Sequence, residues 1–297
     1  MRKKIFLSGG SGFIGRNILE KLGSQYAFFA PTHKQLDLLN FNSVRKYFLT
    51  QGPFDVVIHS AIAGGNRKTG DSKDFAFDSL RMFTNLASCN DRFSQFFYFG
   101  SGIEFGKERT IKKISEEEFG MLVPQSNWGL FKYICAKFVD KNPGKFINLR
   151  LFGVFGKYED YSIRFISNSI CRNIFDLPIV DNKNVVYSYL YIDDLVKVID
   201  FFLNNKLRFN VYNVTPTKTI DLLTIAKKIN LISGKPVKIR VWHRELDNEY
   251  TASNKRLLAE VKNLSFWDMD KAVSDLYKWY FSRKNKINKE ELAQDYY

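Results

Sequence analysis

A short apolar strand that runs into closely spaced glycines opens the chain. Residues 4–8 read Lys-Ile-Phe-Leu-Ser, and glycines follow at positions 9, 10, 12 and 15 before a helix-like stretch. Without Cβ atoms at Gly9 and Gly12 the turn can tighten and its backbone can approach a pyrophosphate, whose charge suits the free N–H groups of a helix N-terminus. Glycine clusters also occur in ordinary turns, but the strand–glycine–helix order favours a dinucleotide site. The residues predicted to form it are Gly9, Gly12, Phe13, Ile14 and Gly15.

The composition limits the size and class of the protein. With 297 residues, of which 45% are hydrophobic, the chain can bury one substantial core and a smaller second lobe. No apolar run approaches the ~20 residues of a membrane span, and the first residues read as a strand, so we expect a cytoplasmic protein without a membrane partner. The three cysteines, Cys89, Cys135 and Cys171, match no metal or disulfide spacing, which predicts buried thiols and no bound metal.

The chain carries a formal net charge of +14, from 45 Lys and Arg against 31 Asp and Glu. The basic residues are spread out, and the densest stretches, 107–113 and 283–289, have acidic residues within or beside them. No recognition-helix or base-stacking pattern accompanies the charge, so a nucleic-acid partner is not expected. A positive field also suits small polyanions such as nucleotide cofactors and nucleotide-diphosphate sugars.

Short apolar segments alternate with amphipathic ones through the first half of the chain. Segments typical of strands buried on both faces lie at 4–8, 26–30, 56–59, 96–99 and 146–151. Amphipathic segments typical of helices lie at 41–49, 75–89 and 127–139. This alternation predicts an α/β domain in residues 1–156, with a doubly wound parallel sheet and right-handed crossovers.

The pattern changes beyond residue 156. Helical segments at 163–173, 193–204, 220–229 and 269–280 alternate with isolated strands at 185–191, 209–214 and 238–241. We expect residues 157–282 to form mainly a smaller, mixed α/β lobe that binds substrate at the strand ends. The polar residues 283–297 are predicted to be a loose tail.

Five ordered motifs resemble those of the extended short-chain dehydrogenase/reductase family. They are the glycine turn at 9–15, Asp-Val-Val-Ile-His-Ser-Ala at 55–61, Phe-Gly-Ser-Gly-Ile-Glu-Phe-Gly at 99–106, Leu-Arg-Leu-Phe-Gly-Val-Phe-Gly at 149–156 and Tyr-Leu-Tyr-Ile-Asp-Asp-Leu at 189–195. The resemblance covers roughly residues 3–282. It implies a Rossmann fold, an NAD(P) cofactor that contacts Ala61, and a nucleotide-diphosphate sugar as substrate.

The same resemblance implies a homodimer built by two helices of each subunit. In the family these are the helix before the serine-bearing strand and the helix that carries the active-site lysine. Seven apolar residues on these helices are predicted to supply more surface than one core face needs: Phe75, Leu80, Met82, Phe83, Phe131, Ile134 and Phe138.

The chain departs from the family at its most diagnostic position. The family places a Tyr and a Lys four residues apart on one helix face, where the ammonium lowers the phenol pKa from about 10 and lets the Tyr exchange a proton near neutral pH. Here the helix keeps Lys132, which is expected to bind the nicotinamide ribose, but has Trp128 at the tyrosine position. An indole N–H donates a hydrogen bond without ionising.

Three interpretations of Trp128 remain open. The protein is an enzyme that uses another proton donor or water, or a protein that binds its ligand without turning it over, or an otherwise ordinary enzyme with a substituted residue. Tyr98 and Glu104, on either side of Ser101, are candidates for a replacement donor. Tyr133 is a poor substitute, because ~100° of helical rotation per residue takes it off the face of Trp128 and Lys132.

The segment around Ser101 narrows the reaction. The resemblance implies that Ser101 donates a hydrogen bond to the reacting sugar oxygen. The 4,6-dehydratases of the family carry Asp-Glu directly after this position, where this chain has Gly102 and Ile103. Reductases that also epimerise neighbouring carbons place a cysteine base at the position of Ile103. What remains is redox at one carbon, either reduction of a 4-keto sugar or 4-epimerisation.

Residues after the second predicted strand bear on the choice of cofactor. An acidic residue there would bind the adenosine ribose and repel a 2′-phosphate, whereas this chain has Pro-Thr-His-Lys at 31–34 and no acid before Asp37. His33 and Lys34 therefore favour NADP(H), although NAD(H) remains possible. The resemblance implies that Asp37 and Leu38 contact the adenine.

Substrate contacts are predicted at four positions. Arg67, Lys68 and Arg164 are candidates for the diphosphate, and Tyr187 stands where many relatives have an arginine for it. The function expected from the sequence is NADPH-dependent reduction of a nucleotide-diphosphate 4-keto-(6-deoxy) sugar, with Ser101, Trp128 and Lys132 at the reacting centre. The alternatives are an NAD-dependent nucleotide-sugar 4-epimerase and a catalytically impaired protein that binds NADP(H) and a nucleotide sugar.

Overall fold

The computed structural model of the protein describes residues 2–64 and 73–293. The strands are, in chain order, β1 (Lys4–Ser8), β2 (Ala27–Phe29), β3 (Phe54–His59), β4 (Phe93–Ser101), β5 (Ile111–Ile114), β6 (Phe146–Leu151), β7 (Gly153–Phe155), β8 (Ile179–Tyr187), β9 (Tyr189–Tyr191), β10 (Val211–Val214), β11 (Ile220–Asp221) and β12 (Ile239–Ala252). The α-helices are α1 (Phe13–Leu22), α2 (Phe41–Gln51), α3 (Lys73–Ala87), α4 (Asn127–Lys141), α5 (Phe165–Ile174), α6 (Ile192–Asn204), α7 (Leu222–Ser233), α8 (Lys255–Glu260), α9 (Met269–Phe281) and α10 (Lys289–Ala293).

Six strands form a parallel sheet in the order β10-β6-β4-β3-β1-β2. The order reverses at β1, because the chain moves outward to β2 on one side and continues at β3 on the other. Ligands bind outside the carboxyl ends of the strands at such a reversal, which here lies between the ends of β1 and β3. The predicted doubly wound α/β fold is confirmed.

Alternate residues of the sheet are buried against different helices. Ile5 and Leu7 belong to the core cluster on the face covered by α1 and α6, whereas Phe6 between them belongs to the cluster formed with α2, α3 and α4. All three side chains are fully buried. Burial on both faces explains why these strands read as continuous apolar runs.

A second, mixed sheet forms the smaller lobe, in the order β11-β8-β12-β5. Its strand β12 pairs in parallel with both β8 and β5. The sequence predicted only a short strand at 238–241, because the following residues are polar. Pairing on both sides extends the strand to Ala252 and brings Tyr250 opposite Tyr187 and Ile111.

The two sheets take strands from both sides of residue 156. Strand β10 joins the six-stranded sheet, and β5 joins the mixed sheet. The domain boundary at residue 156 therefore stays a prediction. The expectation of a loose tail from residue 283 is wrong as far as residue 293, because α10 packs against α5 and Leu292 is fully buried.

Within residues 2–64 and 73–293, no helix has both the length and the apolar character needed to cross a membrane. The same residues contain no cluster of three or more His, Cys, Asp and Glu side chains arranged to hold a metal ion. Cys89, Cys135 and Cys171 are buried free thiols, as the sequence predicts.

Candidate active site

A cavity of ≈ 760 Å³ lies over the carboxyl ends of β1 and β3. The glycine turn forms one wall, and the backbone there leaves no room for side chains. Gly9 has φ +72°, and a Cβ atom on it would lie 2.8 Å from the Ala61 backbone nitrogen. A Cβ atom on Gly15 would lie 2.2 Å from the Gly9 carbonyl oxygen. Gly15 therefore lies beneath the turn and lets α1 approach β1.

Ser8 joins the ends of the two central strands. Its Oγ accepts hydrogen bonds from the backbone N–H groups of Ser60 and Ala61, at 3.1 and 3.2 Å, and lies 2.8 Å from His59 Nδ1. Burial and the nearby charge of Lys132 lower the pKa of His59 to about 3, so its imidazole is neutral at physiological pH. These contacts hold Ala61 at the cavity wall.

The turn and helix fit the pyrophosphate of a dinucleotide. Gly12 is the N-cap of α1 and, having no side chain, leaves the N–H groups of the first helical turn without a side-chain cap. Those N–H groups and the helix dipole favour a negative charge in the cavity. Residues 2–64 thus provide a glycine turn that a pyrophosphate can approach closely, N–H groups that can donate to it, and a cavity that can hold it.

Most of the predicted cofactor residues line this cavity. They are Gly9, Gly12, Phe13, Ile14, His33, Asp37, Leu38 and Ala61. Lys34 is exposed and does not line the cavity, whereas its neighbour His33 does. A cofactor contact for Lys34 therefore stays a prediction. Asp37 also lines the cavity, and its carboxylate accepts a hydrogen bond from the Leu39 N–H at 3.0 Å.

An adjoining cavity of ≈ 790 Å³ lies between the two lobes. It shares five lining residues with the first: Phe13, Ile14, Ile62, Glu159 and Arg164. The structure brings Ser101, Trp128 and Lys132 together on its wall, and it adds the predicted substrate residues Arg164 and Tyr187. Arg67 and Lys68 lie outside the described residues.

A buried ion pair supports Ser101 from below. Arg150 Nε donates to Glu104 Oε2 at 2.6 Å, and both side chains are fully buried. The other carboxylate oxygen accepts from the Ser101 N–H at 2.8 Å, and Asn148 Nδ2 donates to Glu104 Oε2 at 3.0 Å. Glu104, a candidate donor from the sequence, is therefore occupied by Arg150 and positions the serine turn.

Helix α4 places Trp128 and Lys132 one turn apart. It begins after Ser126, whose side chain accepts from the Gly129 N–H at 3.1 Å. Lys132 Nζ donates to the Phe99 carbonyl at 2.7 Å and lies 4.8 Å from the centre of the Tyr98 ring. Burial lowers the pKa of Lys132.

Aromatic neighbours pack against Trp128 and Tyr133 of α4. The Trp128 ring packs 5.2 Å from the Phe131 ring, and Tyr133 packs 5.1 Å from Phe119. Tyr133 lines neither cavity. The structure thus agrees with its predicted position off the shared face of Trp128 and Lys132.

Sequence reasoning missed three residues of the larger cavity. Tyr250 lines it from β12, and its hydroxyl lies 3.4 Å from Ser101 Oγ. Lys107 lies 5.3 Å from the centre of the Tyr250 ring. Glu159 is buried where the two cavities meet, and burial raises its pKa to about 7 despite Arg164 and a hydrogen bond from Ser167. No local motif marks these positions.

The predicted dimer residues divide into three groups. Phe75 and Leu80 are half-buried. Met82, Phe83 and Phe131 are buried, the last two in the core beneath the sheet, so the expectation that they supply surface is wrong. Ile134 and Phe138 are exposed on α4. The same two helices expose two further apolar residues, Phe77 on α3 and Leu130 on α4, which the sequence analysis did not single out.

Comparisons with known proteins agree with this geometry. The NAD dependent epimerase/dehydratase family model matches residues 5–215. GDP-L-colitose synthase of Yersinia pseudotuberculosis is 22% identical over 95% of this chain and 99% of that protein.

Solved structures share the fold at low identity. A GDP-L-fucose synthetase from Naegleria fowleri bound to NADP has a TM-score of 0.81 at 16% identity, covering 95% of this chain and 94% of that one. A GDP-6-OMe-4-keto-L-xylo-heptose reductase from C. jejuni has a TM-score of 0.83 at 15% identity, covering 95% of this chain and 98% of that one. The chain belongs to the NAD dependent epimerase/dehydratase family, which confirms the resemblance to extended short-chain dehydrogenases/reductases.

Proposed function

We propose that the protein is an NADPH-dependent reductase of a nucleotide-diphosphate 4-keto-(6-deoxy) sugar. One observation carries the proposal: Ser101, Trp128 and Lys132 line a single cavity that adjoins the glycine-turn cavity. A cofactor lying over the glycine turn would reach Lys132 with its nicotinamide ribose. NADPH, when bound there, supplies the hydride that reduces a carbonyl.

The lining of the larger cavity favours simple reduction. Moving a proton on a carbon next to the carbonyl needs an acid–base pair beside that carbon. The described lining contains no Cys or His, and its carboxyl groups are those of Asp181 and of Glu159, where the two cavities meet. Ile103 occupies the place of the cysteine base in epimerising relatives. Ser101 and the groups around it serve one carbonyl oxygen, which suffices for reduction at one carbon.

A hydrogen-bond donor on the cavity wall supports NADPH as the cofactor. His33 lines the cofactor cavity on the side of the adenosine ribose expected from the family. Its ring can donate a hydrogen bond to a 2′-phosphate. The NADP in the Naegleria structure supports the same choice. Asp37 lines the same cavity and acts against the preference, so the expected selectivity is moderate.

Nucleotide sugars carrying GDP are the first substrates to test. The curated relative makes GDP-L-colitose, and two structural neighbours are named for GDP-linked sugars. Arg164 lines both cavities and is placed to contact the diphosphate, while Tyr187 contributes an aromatic wall. We propose a diphosphate contact for Arg164 and a sugar or base contact for Tyr187.

The decisive experiment measures NADPH oxidation by absorbance with two substrates in parallel, GDP-4-keto-6-deoxy-mannose and dTDP-4-keto-6-deoxy-glucose. We expect turnover with at least one and formation of a 4-hydroxy sugar. Conversion of UDP-glucose to UDP-galactose without net NADPH consumption would instead establish the 4-epimerase. NADPH binding by calorimetry without turnover of any of these would establish a binding protein, which the tryptophan at position 128 makes the second candidate.

We also propose a cytoplasmic homodimer formed through α3 and α4. Phe77, Leu130, Ile134 and Phe138 are exposed apolar residues on these helices, and such residues are typical of an interface core. Sedimentation of the wild type should give a dimer, and Ile134→Asp should give a folded monomer. A wild-type monomer at micromolar concentration would contradict this.

A further inference from the structure

We propose that Tyr250 donates the proton in this site, replacing the tyrosine that the family carries on α4. The inference rests on the proposed reductase function. It assigns a role to a residue of β12 that belongs to none of the family motifs found in the sequence.

The position of the Tyr250 hydroxyl matches that role. It lies 3.4 Å from Ser101 Oγ on the wall of the larger cavity. Two hydroxyls at this separation can both reach one oxygen at ~2.8 Å, so a carbonyl oxygen placed between them would accept from each. The absence of a side chain at Gly102 is needed here, because a Cβ atom there would lie 2.6 Å from the Tyr250 hydroxyl. Glycine at 102 leaves room for the phenol.

The ring of Tyr250 is held in place by its neighbours. It packs 5.3 Å from Phe152 and 5.7 Å from Tyr187, and β12 is paired on both sides at this residue. Only 7% of the residue is exposed. A donor fixed in this way needs little reorganisation when substrate arrives.

Tyr250 holds its proton at neutral pH, and the burial that keeps it protonated also makes the proton harder to release. Burial raises the pKa of the hydroxyl, and the charge of Glu104 acts in the same direction, whereas Arg150 and the Ser101 hydrogen bond lower it. The phenol is therefore protonated at neutral pH. Lys107, 5.3 Å from the ring centre, is placed to stabilise the phenolate that donation leaves.

The step balances as follows. Hydride from NADPH forms a C–H bond at the carbonyl carbon while the C=O π bond breaks, and the proton of the Tyr250 hydroxyl forms the O–H bond. NADPH is oxidised, the sugar is reduced, and Tyr250 regains its proton from water when the product leaves. Ser101 donates a hydrogen bond to the same oxygen and keeps its own proton.

Other hydroxyl and ammonium groups near Ser101 are less well placed. Tyr98 is buried behind Lys132 and lines neither cavity, and Tyr133 packs against Phe119. The Lys132 ammonium donates to the Phe99 carbonyl. Lys132 also lines the cavity and could donate a proton itself. The test below must therefore distinguish Lys132 from Tyr250 as the donor.

The first test compares Tyr250→Phe, Trp128→Tyr and the double variant with the wild type. Tyr250→Phe should lower kcat by ~10²–10⁴-fold, the range of general acid catalysis, while the NADPH Kd and the melting temperature stay unchanged. In the double variant, the restored tyrosine on α4 should recover most of the loss. Tyr47→Phe, which removes a half-buried hydroxyl on α2 outside both cavities, is the matched control and should leave kcat unchanged.

Each kinetic outcome decides the matter. Full turnover by a folded Tyr250→Phe variant would overturn the proposal and leave the reductase function intact, pointing to Lys132 or water. An inactive wild type with an active Trp128→Tyr variant would also overturn it, because Tyr250 would then be unable to donate. Inactivity of both, with NADPH bound, would refute the reductase function itself.

A second test needs neither turnover nor cofactor and keeps the side chain nearly unchanged. Replacement of Tyr250 by 3-fluorotyrosine provides a ¹⁹F signal at the hydroxyl. In the cofactor-free protein, GDP-mannose should shift this signal and GDP alone should not, because the hydroxyl faces the sugar. Equal shifts with both would overturn the proposal by placing Tyr250 against the nucleotide.

Discussion

Replacing Glu104 with Gln should lower the free energy of unfolding by about 3–5 kcal/mol, because it leaves the Arg150 charge buried without a counter-ion. Both side chains are fully buried, and their atoms are 2.6 Å apart. The guanidinium lies over the rings of Phe105 and Phe119, at 4.4 and 4.8 Å, where water cannot replace the lost carboxylate. The amide of Gln would also turn an N–H₂ group toward a donor, either Arg150 or the Ser101 N–H.

The magnitude can be read from thermal unfolding. At about 2.1 cal/mol/K per residue for the unfolding entropy, a 297-residue chain has an expected loss in Tm of about 5–8 °C. Glu117→Gln is the matched control, because Glu117 also pairs with an arginine, Arg256, at 2.6 Å, but its side chain is 63% exposed. This variant should change stability by less than ~1 kcal/mol. Equal shifts for the two variants would refute the reasoning from burial.

Activity should fall with Glu104→Gln as well, since the carboxylate accepts from the Ser101 N–H. Replacing both partners, Glu104→Met with Arg150→Met, should recover part of the stability because no buried charge remains unpaired. It should not recover activity, because the serine turn still lacks its acceptor. Recovery of both would show that Glu104 has no positioning role.

Two further predictions concern the cavity edges. His33→Ala should weaken NADPH binding by about 1–3 kcal/mol and NADH binding by less, whereas Lys34→Ala should change neither, because Lys34 does not line the cavity; calorimetry showing equal losses for both variants would contradict this. Glu159 has a folded-state pKa of about 7 against an ordinary 4.5, so its stabilising protonation is fully present below pH 4.5 and lost as pH rises to 7. The gain in Tm of Glu159→Gln over wild type should therefore be larger at pH 8 than at pH 5. The charge of Asp160 should enlarge this gain, and that of Arg164 should limit it. A gain independent of pH would contradict the raised pKa.

The cofactor half of the site was predictable because its determinants are local. The glycine turn needs only a strand, four small residues and a helix start within about twenty residues of chain. Likewise, Trp128 and Lys132 are one helical turn apart, so their shared face follows from helix geometry. Lys34 could not be separated from His33 in this way, because the turn after β2 decides which side chain enters the cavity.

The substrate half depends on contacts between distant segments. Tyr250 reaches Ser101 because β12 pairs with β5 and β8. Pairing between strands this far apart in the chain leaves no periodic signal in the sequence. The same holds for Glu104, whose partner Arg150 lies on the neighbouring strand β6. Sequence reasoning placed Glu104 near the chemistry and missed that the ion pair turns it inward.

Trp128→Tyr separates a site that lacks a proton donor from a site in which Tyr250 donates. If the wild-type site lacks a donor, the variant should raise turnover by ~10²–10⁴-fold, because the new phenol would lie one turn from the Lys132 ammonium. If Tyr250 already donates, a second donor adds nothing. Because the indole packing on Phe131 is lost, the turnover of the variant should equal that of the wild type or fall below it. Lys132→Ala should weaken NADPH binding in both cases, which calorimetry would show. A large acceleration by Trp128→Tyr, with a wild type near the uncatalysed rate, would exclude a working donor on β12.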